Sequence, residues 1–257
     1  MPAPAPVEAP GVLLRLESVE QFYGEKIRIL GPIDLDVRER EFLSLVGPSG
    51  CGKSTLLRIV AGLLRPTAGS VRVGGRLLKG VNARAAMVFQ SFALFPWLKV
   101  IENVAVGLEA RGLPPRERLK RAEKYIDLVG LSGYERAFPR ELSRGMKQLV
   151  GLARALAVEP ELLCMDEPFS ALDVLTARTI RDLVLDLWAS PEVTTKSILL
   201  VTHSIEEAVA MSDRVIVLRA NPGRIADEVD LRALPRPRRP DLPQVRETVD
   251  RMYALLA

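Results

Sequence analysis

Cysteine and histidine are scarce, with two of the first and one of the second in 257 residues. Cys51 lies in a glycine-rich run and Cys164 in an apolar one, so neither belongs to a disulfide framework and both read as small, reduced packing residues. Long apolar runs are missing too: none comes near the roughly 20 residues that a membrane helix needs. The start, Met1-Pro2-Ala3-Pro4-Ala5-Pro6, has neither the basic region nor the apolar core of a signal peptide. No internal repeat is present. These absences point to a soluble, cytosolic chain. A composition of 48% hydrophobic and 26% charged residues excludes disorder throughout, and the length suffices for one large domain or two subdomains sharing a core.

The net charge is +4, with an isoelectric point near 9.2. A conspicuous part of the basic excess sits in Arg232-Ala233-Leu234-Pro235-Arg236-Pro237-Arg238-Arg239-Pro240, where proline blocks a regular helix. Such a run either attracts anionic lipid headgroups or nucleic acid, or forms a solvated, extended linker; for a short charge run the linker is the commoner case.

Hydrophobic patterning divides the chain into stretches of different texture. Residues 1–11 read as a disordered Pro/Ala-rich tail. Val12 to Leu16, Ile33 to Val37 and Phe42 to Val46 read as strands, and Gly74-Gly75 suits a hairpin between Val71 to Val73 and Arg76 to Leu78. Ala85 to Phe89 is a further strand. Three helical patterns then follow one another, Val100 to Arg111, Arg116 to Val129 and Arg144 to Ala157. An α/β rhythm resumes with strands at Leu162 to Met165, Ser197 to Val201 and Arg214 to Leu218, separated by helices from Val174 and Ile205. Ser204 and Glu207 form a capping-box pattern, and Val245 to Leu256 reads as a short terminal helix. This alternation implies a largely parallel sheet covered by helices.

Between the strand at Phe42 to Val46 and the helical pattern from Leu56 lies Gly47-Pro48-Ser49-Gly50-Cys51-Gly52-Lys53-Ser54-Thr55. It fits the phosphate loop G-x-x-x-x-G-K-[ST] in its required strand-to-helix context. Glycines let successive backbone N–H groups curl inward around an anion, and the following helix adds the positive end of its dipole. The chain therefore reads as binding a nucleoside triphosphate, with Lys53 against the β and γ phosphates and the Ser54 hydroxyl on Mg²⁺.

Leu162-Leu163-Cys164-Met165-Asp166-Glu167 is an apolar strand that ends in two carboxylates, at the sheet edge where parallel folds bind ligands. Two neighbouring acids divide the work there: Asp166 on Mg²⁺, directly or through water, and Glu167 orienting and deprotonating the water that attacks the γ phosphate.

The segment Leu142-Ser143-Arg144-Gly145-Met146-Lys147-Gln148, which opens a helix, resembles the Leu-Ser-Gly-Gly-Gln-type signature of the ATP-binding-cassette (ABC) family. That resemblance spans about Val12 to Asp230. It implies an α/β fold with a P-loop NTPase (RecA-like) core, an N-terminal antiparallel β-subdomain and an inserted α-helical subdomain at about 92–157, followed by a basic Pro-rich linker and short helix at 231–257. It also implies a head-to-tail homodimer in which the Ser143 hydroxyl and the Gly145 N–H meet a γ phosphate held by the other copy. Further matches fall in order. Gln90 resembles the glutamine that contacts Mg²⁺ and the attacking water, Asp173 lies in the dimer-contact loop Ser170-Ala171-Leu172-Asp173, and His203 matches the histidine that hydrogen-bonds the γ phosphate. Tyr23 matches the aromatic that stacks on adenine, with Phe22 as the alternative. Two positions depart from the pattern, Arg144 for the first signature glycine and Leu149 for an arginine.

Within the family, the long coiled-coil insertions of chromosome ATPases and the paired cassettes of translation factors are both missing, so transport is the expected task and no nucleic acid the expected partner. Val88 to Val104, with Leu94-Phe95-Pro96-Trp97, and Ala220-Asn221-Pro222-Gly223-Arg224-Ile225 look like the nitrate/sulfonate/taurine branch of bacterial importers. The resemblance implies a permease in the membrane, an external solute-binding protein and a place on the cytoplasmic face of the membrane. Phe95, Pro96 and Trp97 either meet the permease or pack inside the helical subdomain. An exporter is the alternative task, because the Arg-Gly-Met signature also occurs there. Nitrate, nitrite, cyanate, bicarbonate, alkanesulfonates, taurine and thiamine-precursor pyrimidines are all open as solutes.

Overall fold

The computed structural model describes residues 11–24 and 26–256. All but Gly11 of the tail expected at the start lies outside the described residues. The chain opens with two long strands, β1 (Val12–Tyr23) and β2 (Ile27–Arg38), then β3 (Glu41–Val46), helix α1 (Lys53–Val60), β4 (Ala68–Val73) and β5 (Arg76–Leu77). A mostly helical middle follows: β6 (Ala85–Val88), α2 (Val100–Ala110), α3 (Pro115–Leu128), a 3-10 turn at Pro139–Glu141, α4 (Arg144–Ala157), β7 (Leu162–Asp166) and α5 (Val174–Ala189). The last part comprises β8 (Ser197–Val201), α6 (Ile205–Met211), β9 (Arg214–Arg219), β10 (Arg224–Asp230) and α7 (Pro243–Leu256).

Two compact units result, one formed by the chain up to Asn82 and from Lys196 onward, the other by Ala83–Thr195. The first unit holds an antiparallel sheet in the order β2-β1-β4-β5. Its hairpin turns on Gly74 and Gly75, whose φ values of 52 and 76 match the twist of the strands they join. The same unit contains the parallel strands β9, β3 and β8, with β10 antiparallel on the β9 side. β3 and β8 are buried along their whole length and β9 to Leu218, as their near-continuous apolar runs require for strands covered on both faces. β10 alternates exposed residues with half-buried ones and one buried residue, Val229, the weak pattern of an edge strand, and sequence patterning did not single it out.

Several buried polar groups inside this unit are paired with one another. The Ser44 and Ser212 hydroxyls share a short hydrogen bond. The Arg214 guanidinium donates to both Glu41 oxygens at 2.7 and 3.0 Å, with both residues buried. It also meets Glu228 at 3.0 Å, so one cation links β3, β9 and β10.

The Arg232 to Pro240 run departs from the expected solvated linker. Most of it is exposed, but Arg238 is buried and donates to the carbonyls of Val209, Ser212, Leu231 and Leu234. Arg236 donates to Met211 O and Asp213 Oδ1 at 2.7 and 2.8 Å. The physical reason is the C-terminal end of α6, whose last carbonyls have no partner inside the helix and attract a cation. These anchors seat α7, whose Val245 and Met252 pack with Ile205, Val209 and Val46.

In the second unit β6 and β7 are parallel neighbours, with Ala85 opposite Leu162 and Val88 opposite Met165. α4 packs against α2, α3, α5 and β6. Its buried face runs from Gly145 to Ala157, and Ser143 caps its start.

Candidate functional site

The chain leaves buried β3 at Val46 and turns at Gly47, where a Cβ would lie 2.5 Å from Leu218 O, so only glycine lets the loop run against β9. Gly52 precedes α1 with φ 94 and gives it no side-chain cap. A left-handed residue followed by an uncapped first turn presents backbone N–H groups to an anion. Lys53 is 5% exposed, and its ammonium donates to Gly47 O at 2.8 Å and Pro48 O at 3.1 Å, so the cation already lies across its own loop. Pro48, Ser49 and Gly50 are exposed, and Ser54 and Thr55 are half-buried. Cys51 points inward, and burial raises its thiol pKa above the ordinary value although Lys53 opposes the shift.

The Asn221-Pro222-Gly223 turn supports this loop from behind. Gly223 donates to Ile29 O at 2.8 Å and accepts from Gly31 N at 2.9 Å. A side chain at Gly223 would overlap Cys51 O. Tyr23, at the end of β1, is 54% exposed, whereas Phe22 is half-buried with Arg28 5.7 Å over its ring. Of the two aromatics, Tyr23 has the freer face for stacking.

His203 is exposed and follows β8 in the same unit. Its turn is braced on both sides: Thr202 Oγ1 donates to Glu207 Oε2 at 2.7 Å and accepts from Ser204 N at 3.1 Å, while Ser204 Oγ accepts from Glu207 N at 3.1 Å. Ser204 caps α6 as the sequence pattern implies, and the Glu207 carboxylate serves Thr202.

In the second unit Asp166 ends β7, 9% exposed, and Glu167 follows with φ 44. A left-handed glutamate is strained by about 1–2 kcal/mol, and such strain collects at functional sites. Ser170 Oγ donates to Glu167 O at 2.9 Å and accepts from Gln90 Nε2 at 3.1 Å. Gln90 and Glu167, 77 positions apart in the sequence numbering, are thus joined through one hydroxyl. Sequence reasoning placed Ser170 only in the dimer-contact loop; its spacing of three from Glu167 is the signal that could have marked it as a brace.

Ser143 Oγ accepts from Met146 N at 3.2 Å, which leaves its hydroxyl proton to donate elsewhere. Gly145 is buried, and Arg144 points to the exposed side. Asp173 caps α5, and hydrogen bonds from the Thr176 side chain and backbone hold its carboxyl pKa below the ordinary value. Val174 and Leu175 beside it are 81% and 77% exposed.

The Phe95-Pro96-Trp97 knob is held from within. Asn103 is fully buried; its Oδ1 accepts from Phe95 N at 2.8 Å and its Nδ2 donates to the carbonyls of Phe95, Leu98 and Lys99 at 3.1, 2.9 and 3.1 Å. Trp97 is 69% exposed with its ring centroid 5.6 Å from that of Phe95, so packing inside the helical subdomain is the reading that the structure overturns.

Fold and phosphate loop together define an α/β nucleotide-hydrolysing protein of the P-loop class. Residues 30–170, more than half of the chain, match the family described as ABC transporter. The nitrate import ATP-binding protein NrtD of Synechocystis is 46% identical over 199 residues, covering 77% of this chain and 74% of that protein. The taurine import ATP-binding protein TauB of Roseobacter denitrificans is 46% identical over 208 residues, covering 81% and 76%. The ATP-binding cassette MJ0796, solved as a dimer in a post-hydrolysis state bound to ADP and Pi, superposes with a TM-score of 0.73 at 33% identity, covering 85% of this chain and 98% of that one. The chain belongs to the ABC transporter family and is an ATPase of it.

Proposed function

We propose that this chain is the ATP-hydrolysing subunit of an ABC importer, energising uptake of a small anion or sulfonate-type solute through a separate permease. Similarity to ATP-binding subunits named for nitrate and taurine import carries this reading. No described helix is long and apolar enough to cross a membrane. The chain's place is then the cytoplasmic face, against the permease, with a solute-binding protein acting from the other side.

The phosphates lie on the loop from Gly47 to Thr55, where Lys53 exchanges its bonds to Gly47 O and Pro48 O for phosphate oxygens. Tyr23 stacks on adenine. Ser54, Gln90 and Asp166 offer hydroxyl, amide and carboxylate oxygens, a hard donor set that fits Mg²⁺. When bound, Mg²⁺ would neutralise phosphate charge. Glu167 orients the water and takes its proton, and His203 donates to the γ phosphate. A second copy, whose presence the dimeric relative supports, supplies its own Ser143 hydroxyl and Gly145 N–H to that phosphate, as the signature resemblance implies. Closure of two copies on two nucleotides drives the permease, and hydrolysis reopens them.

The test is recovery of membrane proteins with tagged Glu167→Gln protein, extracted in mild detergent with Mg·ATP and identified by mass spectrometry. An importer-type permease is the expected partner. An exporter-type subunit, or nucleic-acid factors alone, would overturn the task and leave the ATPase chemistry standing.

A further inference from the structure

Gln90 and the Phe95–Trp97 knob are joined by a short link with a strained backbone. Phe92 and Ala93 have φ values of 61 and 47. Neither is among the residues that tolerate the left-handed region, where an L side chain crowds the backbone. Ala93 N donates to Ser91 O at 2.7 Å, closing a three-residue turn around Phe92. With positive φ at its centre, this is the rarer and more strained hand of that turn. Two consecutive residues of this kind persist only where their surroundings over-determine them.

Arg154 is what over-determines them. From the last turn of α4, its Nη1 donates to Ala93 O at 2.6 Å and its Nη2 to Phe92 O at 3.1 Å, so the planar guanidinium spans two consecutive carbonyls. Among the described residues its acceptors are these backbone oxygens, and burial lowers its pKa. A half-buried cation held by two neutral carbonyls gives up hydration without a counterion, which fits a part chosen for its shape.

We infer that Arg154 is a positioning residue for Gln90: its fork holds Phe92 and Ala93 in the left-handed form and ties both Gln90 and the Phe95–Trp97 knob to α4, the helix that begins after Ser143. The inference rests on the role proposed above for Gln90. A push on the knob then reaches Gln90 through one stiff link, and the same helix carries it to the signature serine. Released from the fork, the link relaxes toward ordinary backbone conformations and Gln90 loses its fixed place.

The test is steady-state hydrolysis of Mg·ATP by the intact chain. Arg154→Lys keeps the charge and most of the stem but cannot span both carbonyls; kcat falls about tenfold while KM stays within about twofold. Ala93→Gly removes the left-handed penalty, so adding it to Arg154→Lys restores about half of the lost rate. If Arg154 only stabilised α4, glycine at position 93 would restore nothing, and that result overturns the inference. Wild-type kcat in Arg154→Lys overturns it as well. Amide exchange gives a second readout: Arg154→Lys speeds exchange in a peptide covering 91–98 and leaves α2 unchanged, whereas uniform acceleration counts against the proposal. Normal turnover in Gln90→Ala would instead refute the role of Gln90 itself.

Discussion

Gly145 and Thr176 approach so closely that a Cβ on Gly145 would lie 2.5 Å from Thr176 Cγ2. The start of α4 and the first turn of α5 are therefore fitted to each other, and both carry segments expected to face a second copy. Gly145→Ala forces these helices apart and lowers both melting temperature and turnover. Thr176→Ser removes the offending methyl while leaving the backbone N–H that Asp173 accepts from. The double variant Gly145→Ala/Thr176→Ser should regain most of the loss, read by calorimetry and ATPase assay; no recovery would mean that the contact with Thr176 is not what excludes a side chain at position 145.

Ser143 has two duties that substitution can separate. Ser143→Ala loses the cap, worth about 1 kcal/mol, together with the hydroxyl proton proposed for the partner's γ phosphate. Ser143→Asp keeps a capping oxygen and places an anion near phosphate. The expected outcome is near-normal stability for Ser143→Asp, turnover down at least about tenfold in both variants, and nucleotide affinity of the isolated chain within about twofold. Equal losses of binding and turnover would argue against action on the second copy's nucleotide.

Lys53 should be the residue on which nucleotide affinity depends most. Its ammonium is buried and already paired with two loop carbonyls. Lys53→Ala removes the point charge proposed for the β and γ phosphates, so titration calorimetry should show ATP binding weakened by about two orders of magnitude. Glu167→Gln, in contrast, should bind ATP normally and stall as a dimer. Gel filtration with Mg·ATP separates the two behaviours.

The buried pair of Glu41 and Arg214 ties the sheet strands together. Removing one partner leaves an uncompensated charge, so Arg214→Ala should cost about 3–5 kcal/mol in denaturant unfolding. Replacing both, as in Glu41→Leu/Arg214→Met, should recover most of it. A loss below about 1 kcal/mol for the single variant would mean that water reaches the site.

Arg238 serves as the anchor of the C-terminal segment. Arg238→Ala leaves the carbonyls of Val209, Ser212, Leu231 and Leu234 without this donor, and Arg238→Lys cannot reach all four. Both variants should lose roughly 1–3 kcal/mol and expose α7 to early proteolysis. Equal protection of α7 in wild type and variant would show that the packing of Val245 and Met252 suffices.

Much of this protein is legible in its sequence. The run from Gly47 to Thr55 and the carboxylates after Leu162 to Met165 stand out as candidates because their pattern lies among neighbours in the chain, and Ser143 at the head of a helix stands out through its resemblance to the family signature. Strand-to-helix turns, caps and apolar periodicity are short-range physics, so α4 and β8 coincide with their expected bounds. What stayed hidden depended on partners distant in sequence. β10 has little pattern of its own and forms because β9 offers an edge. The basic run reads as a linker until the end of α6 supplies carbonyls for Arg238. Trp97 reads equally well as core or surface until Asn103 is seen to pin the loop beneath it. Local backbone preference and motif patterns thus determined the class of protein and marked its candidate residues. Only tertiary packing decided that Gln90 reaches Ser170, that Arg154 forks onto Phe92 and Ala93, and that Gly145 has no room for a methyl, because contacts between distant residues exist only once the chain has folded.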